Sequence, residues 1–371
     1  MSRPTRPQRR LRRRDAMRFL AHPRRLRGSL RLSPQPWLRN SALVALQMAF
    51  IVAIALPLVL ISPWPGMVGY ASLGALVGLF GRFAERGRRV WVLLMAGLIQ
   101  CGGILVMSLV SWSGAPMVAQ LAALALLAGL LHVLSVRLRL GPPGGIILTF
   151  AAAAALSPPA DLWAITERLA AAGAVALFAL VLCTATEAWR LVRPVAEGYP
   201  GDHPPPGYDL RAATLRIIIA AYLAALICLG LGANYPVWAS LGAMAVLQGA
   251  QLHVSTSRAF QRVFGTIFGA GIAWVVLTID PHIGFYVLML VLLQFGTELV
   301  IGSNYALAQV FVTPMALLMT HLAAPDRSSA EIAPERVMDT IVGAFVGLAV
   351  GLVFSTLEDR KMLARQHRRG L

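Results

Sequence analysis

Residues 235–276 read YPVWASLGAMAVLQGAQLHVSTSRAFQRVFGTIFGAGIAWVV, and this stretch decides how the rest of the chain is interpreted. A first apolar run stops at the polar residues 248–251, and a second, glycine-rich run starts at Gly265. A short loop between the two runs is predicted to carry Arg258 and Arg262. The pattern predicts a helical hairpin inside a membrane with two arginines at its mouth, because apolar runs lie in lipid and guanidinium groups lie at its edge.

The first half of the chain contains a copy of this stretch. Residues 70–76 (YASLGAL) match residues 238–244 (WASLGAM), which lie 168 positions later. The dipeptide Glu-Arg at 167–168 recurs at 335–336, again 168 positions later. Two distant matches that share one separation indicate an internal duplication. The sequence therefore predicts one membrane unit that occurs twice.

Composition assigns the chain to the membrane proteins. Of 371 residues, 57% are hydrophobic and 13% are charged, and the mean hydropathy is +0.69. Long apolar runs without the alternation of barrel strands predict transmembrane helices, whose backbone groups are satisfied internally. The chain has no P-loop, H-E-x-x-H or G-x-S-x-G motif, so we expect neither an enzyme nor a cofactor. Its three cysteines lie within apolar runs without metal-binding spacing, so we expect no metal site. The three are Cys101, Cys183 and Cys228.

The apolar runs predict an all-α polytopic protein with about twelve transmembrane helices. They lie at about 41–61, 66–81, 90–111, 116–136, 144–157, 167–190, 212–232, 237–251, 262–279, 283–301, 304–321 and 336–357. If the N-terminus is cytoplasmic, the helices place all but three of the 33 Lys and Arg residues on the inside. The three exceptions are Arg168, Arg327 and Arg336. Six helices per half give the two repeats the same orientation, and both termini are expected in the cytoplasm.

The predicted divisions of the chain follow charge and proline content. They are a basic tail (1–39), membrane repeat 1 (40–195), a Pro-rich linker (196–210), membrane repeat 2 (211–357) and a basic C-terminus (358–371). Thirteen arginines in the tail supply much of the net charge of +17. We expect the tail to bind anionic lipids, at about 1 kcal/mol per charge. Nucleic acid is the less favoured partner, and the tail does not resemble a cleaved signal peptide.

Short or broken helices at matching positions of two repeats indicate a transport site. Here they are the second and fifth helices of each half, and Pro314 is predicted to break the last of them. Guanidinium groups and helix N-termini favour an anion, and aromatic rings favour a planar ligand. The predicted substrate-binding residues are Arg82, Trp238, Gln248, Arg258, Arg262 and Thr313. The alternative interpretation is that these arginines anchor topology and that the aromatic residues form an interfacial belt.

Charged residues in or near the membrane are the candidates for proton coupling or gating. A buried acid costs roughly 3 kcal/mol at the bilayer centre on insertion scales, which makes Glu298 and Asp339 conspicuous. Arg336 joins them because it lies one helical turn before Asp339. The alternative is that the three only form contacts between helices. The glycine series that ends in Gly343, Gly347 and Gly351 is interpreted as close helix packing.

Three blocks in the second half resemble the fusaric acid resistance and aromatic acid exporter family. They are P-x-W-A-x-L-x-A-x-x-V-L-Q (236–248), R-x-x-x-R-x-x-G-T (258–266) and R-x-x-D-T-x-x-G (336–343). The resemblance implies a bacterial inner-membrane efflux component for aromatic carboxylic acids, with a periplasmic adaptor and an outer-membrane channel as possible partners. It also implies that Arg258, Arg262, Arg336 and Asp339 hold the family's recurrent positions. Plant malate channels are distant relatives with a similar six-helix unit that works as a dimer, so a homo-oligomer is also open.

Three functions therefore remain open from the sequence. The first is an exporter that collects an organic anion at its cytoplasmic arginines. The second is a passive anion channel of the malate-channel type, which would carry current without a pH gradient. The third is a membrane scaffold that moves no solute.

Overall fold

The structure, a computed structural model, describes residues 37–192, 208–248, 252–323 and 329–355. Within these ranges the chain is helical and contains no strand. The predictions made for the basic tail and for nearly all of the Pro-rich linker and the C-terminus fall outside the described residues.

Twelve α-helices occupy the described ranges, and each corresponds to one of the predicted apolar runs. They are α1 (Leu38–Leu60), α2 (Val68–Ala75), α3 (Arg88–Trp112), α4 (Met117–Arg137), α5 (Gly145–Ala153), α6 (Leu162–Ala185), α7 (Leu210–Gly230), α8 (Val237–Leu247), α9 (Leu252–Ile279), α10 (Ile283–Val300), α11 (Tyr305–Ala323) and α12 (Ser329–Val353). Short 3-10 segments extend α2 at both ends and α5 at its C-terminal end.

Helix α9 corrects the prediction for the hairpin at 235–276. It begins at Leu252 and not near residue 262, so Arg258 and Arg262 lie inside a helix and not in a loop. The physical reason is that neither residue breaks a helix, since arginine is among the better helix formers. The apolar run marks where the helix enters lipid, whereas the helix itself starts about three turns earlier.

Nine of the described helices are long and apolar enough to cross a membrane, which makes the protein a multi-pass membrane protein. Three apolar helices are shorter, at 65–79, 145–156 and 237–247. They fall below the roughly 20 residues that a span needs, and the 11 residues of α8 reach only about 16 Å.

The prediction that the fifth helix of the second half is short or broken is wrong. Helix α11 has 19 residues and continues through Pro314. Proline is tolerated in membrane helices because neighbouring groups and local adjustments satisfy the backbone carbonyl that it frees.

The helices pack in corresponding pairs in the two halves of the chain. Contacts α1–α2, α2–α6, α3–α5 and α4–α5 in the first half correspond to α7–α8, α8–α12, α9–α11 and α10–α11 in the second. Between the halves, α1 packs on α10 and α7 packs on α4, while α2 contacts α11 and α8 contacts α5. The three short helices and α11 therefore lie at the junction between the halves.

Glycines bring the short helices against their long neighbours. A Cβ atom on Gly74 of α2 would lie under 3.0 Å from the carbonyl oxygen of Ala172 in α6. In the second half, a Cβ on Gly343 of α12 would come equally close to the carbonyl oxygen of Ala239 in α8. Only a residue without a side chain permits such backbone contact, and this agrees with the packing interpretation of Gly343.

Candidate functional site

One face of α11 carries a row of polar side chains. Tyr305, Gln309 and Thr313 are spaced by four residues and therefore share one helix face. Gln309 and Thr313 are buried. The row faces α9, because Tyr305 bonds to Arg262 and the side chains of Gln309 and Thr313 lie against Gly265 and Gly269, so it forms one wall of a polar seam inside the protein.

The opposite wall of this seam belongs to α9. Arg262 and Thr266 are four residues apart and both are buried. Gly265 and Gly269 allow the approach, because a Cβ on either would clash with α11. The guanidinium Nη1 of Arg262 donates a hydrogen bond of 3.1 Å to the hydroxyl of Tyr305. The seam therefore joins a positive charge to a row of neutral polar groups.

Several polar atoms of the seam have no hydrogen-bond partner within the described residues. They are Nε of Arg262, Oε1 of Gln309 and the hydroxyl oxygens of Thr266 and Thr313. A buried polar atom without a partner costs about 1–3 kcal/mol, and native proteins avoid such atoms unless water, an ion or a ligand satisfies them. The seam is therefore chemically suited to a polar ligand.

Arg336 forms a second cationic element beside the seam. Its guanidinium lies over the ring of Trp238, 3.8 Å from the centroid, and both side chains are buried. The Nε and Nη1 atoms of Arg336 have no hydrogen-bond partner among the described residues. Arg262 lies on α9, which packs against α12, the helix that carries Arg336. The structure thus brings together two arginines that the predicted topology places towards opposite sides of the membrane, because α8 is short and Arg262 lies well inside α9.

Asp339 lies one turn beyond Arg336 on α12 and is buried. The Cys228 thiol lies beside it and interacts with it. Its two carboxylate oxygens accept no hydrogen bond of normal geometry from the described residues, and the hydroxyl of Thr340 is likewise without a partner. We name the group Arg262, Arg336, Asp339 and Trp238 the arginine cluster.

Gln248 links Arg258 of α9 to the first half of the chain. Its side-chain Nε2 donates to the carbonyl oxygen of Pro143 at 3.1 Å, and its Oε1 accepts from Nη1 of Arg258 at 3.4 Å. The Arg258 guanidinium also lies over the ring of Tyr305, 5.6 Å from the centroid. Arg258 and Arg262 therefore share one aromatic neighbour.

Five of the six predicted substrate-binding residues consequently gather around α8, α9 and α11. They are Trp238, Gln248, Arg258, Arg262 and Thr313. Arg82 lies elsewhere.

Arg82 forms an ion pair with Glu298, so one predicted substrate residue and one predicted coupling residue are partners of each other. The Arg82 side chain is 11% exposed and that of Glu298 is 3% exposed. Burial, together with the nearby Arg89 guanidinium, lowers the pKa of Arg82 to about 10, which leaves the group protonated near neutral pH. Since Arg82 follows α2 and Glu298 lies near the end of α10, the pair ties one half of the chain to the other.

A polar network adjoins this ion pair. Nη2 of the buried Arg89 donates to Oε1 of Gln47 at 2.9 Å, and its Nη1 lies 3.3 Å from Oε2 of Glu187. Arg190 also binds the Glu187 carboxylate and donates to the carbonyl oxygen of Ala84 at 2.6 Å. The network holds the ends of α1, α3 and α6 together around the segment that carries Arg82.

Sequence reasoning missed several of these residues. The spacing of Tyr305, Gln309 and Thr313 within an apolar run is a signal that could have found the polar face of α11. No local signal pairs Gln47 with Arg89, because they lie on different helices and meet only in the folded chain.

The first half carries a counterpart of one contact in the arginine cluster. The Arg168 guanidinium lies 5.2 Å from the ring centroid of Tyr70. Arg168 and Tyr70 stand 168 positions before Arg336 and Trp238, respectively. Nη1 of Arg168 donates to the Ser108 hydroxyl at 3.4 Å, and the Tyr70 hydroxyl donates to the carbonyl oxygen of Ala154 at 3.2 Å. Both matches found in the sequence therefore meet in space, once in each half.

Fold and site together define a multi-pass helical membrane protein with a buried arginine cluster in its second half. Residues 220–350 match the family model described as fusaric acid resistance protein-like, which confirms the resemblance for this segment. The segment contains Arg258, Arg262, Arg336 and Asp339.

One curated relative supports the membrane assignment. Over 162 residues the chain is 30% identical to the "Uncharacterized membrane protein YvaC" of Bacillus subtilis (strain 168). The alignment covers 41% of this chain and 26% of that protein, so the chain matches about a quarter of its relative's length. No solved structure matches the chain.

Proposed function

We propose that this protein is a bacterial inner-membrane exporter of aromatic carboxylates or related organic anions. The observation that carries the proposal is the arginine cluster, in which the buried guanidinium groups of Arg262 and Arg336 keep nitrogen atoms without a partner among the described residues. The match of residues 220–350 to the fusaric acid resistance-like family supports transport, and the aromatic cargo class follows from that resemblance.

The chemistry of the cluster suits an organic anion. A guanidinium group binds a carboxylate through parallel N–H donors, and such charge-assisted bonds are roughly twice as strong as neutral ones. Away from water the attraction is screened less, so two nearby arginines favour an anion further. Trp238, which packs on Phe150 at a centroid distance of 5.7 Å, supplies an aromatic wall for a planar ligand.

We further propose that the twelve helices form two parallel six-helix repeats with both termini in the cytoplasm. The corresponding helix contacts of the two halves support this layout, in which helix n of the first half takes the place of helix n + 6. The anion would pass near the junction where α2, α5, α8 and α11 meet, since irregular and short helices are tolerated where they line a path.

In this scheme the Arg82–Glu298 pair acts as a gate between the repeats. It is an ion pair that joins the two halves within the described residues, because Arg82 follows α2 and Glu298 lies on α10. Asp339, beside Arg336, is the candidate for proton coupling. The basic tail would hold anionic lipids, and a periplasmic adaptor, an outer-membrane channel or a second copy of the chain would complete the assembly.

Cellular retention of radiolabelled aromatic carboxylates tests the proposal. A host that lacks its own exporters is loaded with benzoate, 4-hydroxybenzoate or cinnamate, with and without the protein. We expect lower retention of at least one acid, and we expect Arg262→Gln to restore the host level. The matched control is Arg86→Gln, which changes an exposed arginine and should leave export intact.

Two results would redirect the proposal. Voltage-dependent current through the purified protein without a pH gradient would favour a passive anion channel. Unchanged retention of every acid, without such current, would favour a membrane scaffold.

A further inference from the structure

The two halves share one contact but differ at several polar positions around it. Each half places an arginine of its last helix over an aromatic ring of its second helix, Arg168 over Tyr70 and Arg336 over Trp238. Four further polar positions of the second-half site have no polar counterpart in the first half. At 168 positions before Arg262, Thr266, Asp339 and Thr340 the chain has Leu94, Leu98, Ala171 and Ala172.

The two arginines also differ in how far the protein itself satisfies them. Arg168 donates to Ser108, and within the described residues it has no atom that is both buried and without a partner. Arg336 has two such nitrogen atoms, and Arg262 beside it has a third. A buried guanidinium nitrogen without a protein partner is a donor that a ligand can satisfy, and among the described residues Arg262 and Arg336 carry such atoms whereas Arg168 does not.

Packing gives the first-half pair a structural role. The backbone of α2 touches that of α6 at Gly74 and Ala172, one helical turn beyond Tyr70 and Arg168. The hydroxyl of Tyr70 extends the contact to the end of α5 through the carbonyl oxygen of Ala154. With the hydrogen bond from Arg168 to Ser108 of α3, the pair joins four helices of the first half, α2, α3, α5 and α6.

We propose that each chain binds one organic anion, at the arginine cluster of the second half, and that the Tyr70–Arg168 pair positions helices and binds no ligand. This inference rests on the proposed function and refines it, because a duplicated membrane unit would otherwise hold two equivalent sites. Both halves therefore retain the contact that packs the helices, whereas only the second half has the groups that bind a ligand.

Equilibrium dialysis of the full-length protein in detergent tests the stoichiometry. Radiolabelled benzoate, 4-hydroxybenzoate and cinnamate are titrated separately against the wild type, Arg336→Gln and the matched variant Arg168→Gln. We expect one site per wild-type chain, and we expect Arg336→Gln to bind at least about tenfold more weakly because a charge-assisted hydrogen bond is lost. Arg168→Gln is expected to retain one site with affinity within about twofold, and to melt at a lower temperature.

Lysine variants keep the test decisive if a glutamine variant does not fold. Arg336→Lys retains the charge but cannot bind a carboxylate through two parallel donors, so it too should weaken binding, whereas Arg168→Lys should not. Two sites per wild-type chain, or loss of binding in a folded Arg168 variant, would overturn this inference and leave the exporter proposal standing. No saturable binding of any of the three acids by the wild type would count against both.

Discussion

The Arg82–Glu298 pair yields a prediction about how the two halves are held together. Both side chains are almost fully buried, so removing one charge leaves the other unpaired in a medium that solvates it poorly. Breaking a buried ion pair in this way costs about 3–5 kcal/mol, whereas replacing both charges by neutral groups is often nearly free. Arg82→Gln and Glu298→Gln should therefore each destabilise the protein more than the double variant does.

The size of the effect follows from this comparison. If the double variant loses less stability than either single variant, the coupling free energy between Arg82 and Glu298 exceeds the stability lost in one single replacement. That loss is at least about 3 kcal/mol. At about 2–3 °C per kcal/mol, a cost of about 3–5 kcal/mol means that each single variant should melt about 6–15 °C below the wild type. Arg86→Gln, an exposed neighbour in the same loop, should shift the melting temperature by less than about 2 °C.

The assay is thermal unfolding of the detergent-purified variants, followed by the loss of the monodisperse peak in size-exclusion chromatography. It is run near neutral pH, where Arg82 is protonated because its pKa of about 10 is well above the buffer. A double variant whose melting temperature falls by the sum of the two single shifts would refute the reasoning. Additivity would mean that the two charges do not stabilise each other.

Two further predictions concern packing and the end of the first half. Gly343→Ala should abolish the folded peak in chromatography, because the new methyl group would overlap the backbone of Ala239. The control Gly271→Ala should keep the peak, since nothing lies within 4 Å of that position. Equal behaviour of the two variants would contradict the packing. The Asn40 side chain donates a hydrogen bond of 2.8 Å to the carbonyl oxygen of Leu191 and accepts one of 2.9 Å from the N–H of Leu191. Asn40→Leu removes both bonds, so it should lower the free energy of unfolding by about 2 kcal/mol and speed tryptic cleavage just beyond α6. An unchanged cleavage half-life would show that these bonds do not hold the segment.

Much of the helical architecture could be predicted from the chain. Each of the twelve helices lies close to a predicted apolar run, because a segment in lipid must satisfy its own backbone and can do so only as a helix. The predicted N-terminal boundary of α9 was wrong for a related reason. Hydropathy reports contact with lipid, and the polar residues between Leu252 and Arg262 extend the helix without changing that signal.

Several residues of the candidate site could be selected from the sequence, but their arrangement could not. Trp238 and Arg336 were selected separately, one as an aromatic wall and one as a coupling residue, and the structure places one over the other. Arg82 and Glu298 were assigned different roles, and they form one ion pair. In both cases the partners lie on helices that are distant in the chain, so no local pattern could join them.

The sequence by itself determined that this is a helical membrane protein with a family-like second half, and it predicted a repeated unit. Those properties follow from hydropathy, from recurrence and from short motifs, all of which are read locally along the chain. Only the tertiary structure decided which buried charged side chains neutralise each other and which have hydrogen-bonding atoms left for a ligand. That choice depends on which helix faces meet, and helix faces meet through glycine contacts such as Gly343 on Ala239 that act between segments far apart in the chain.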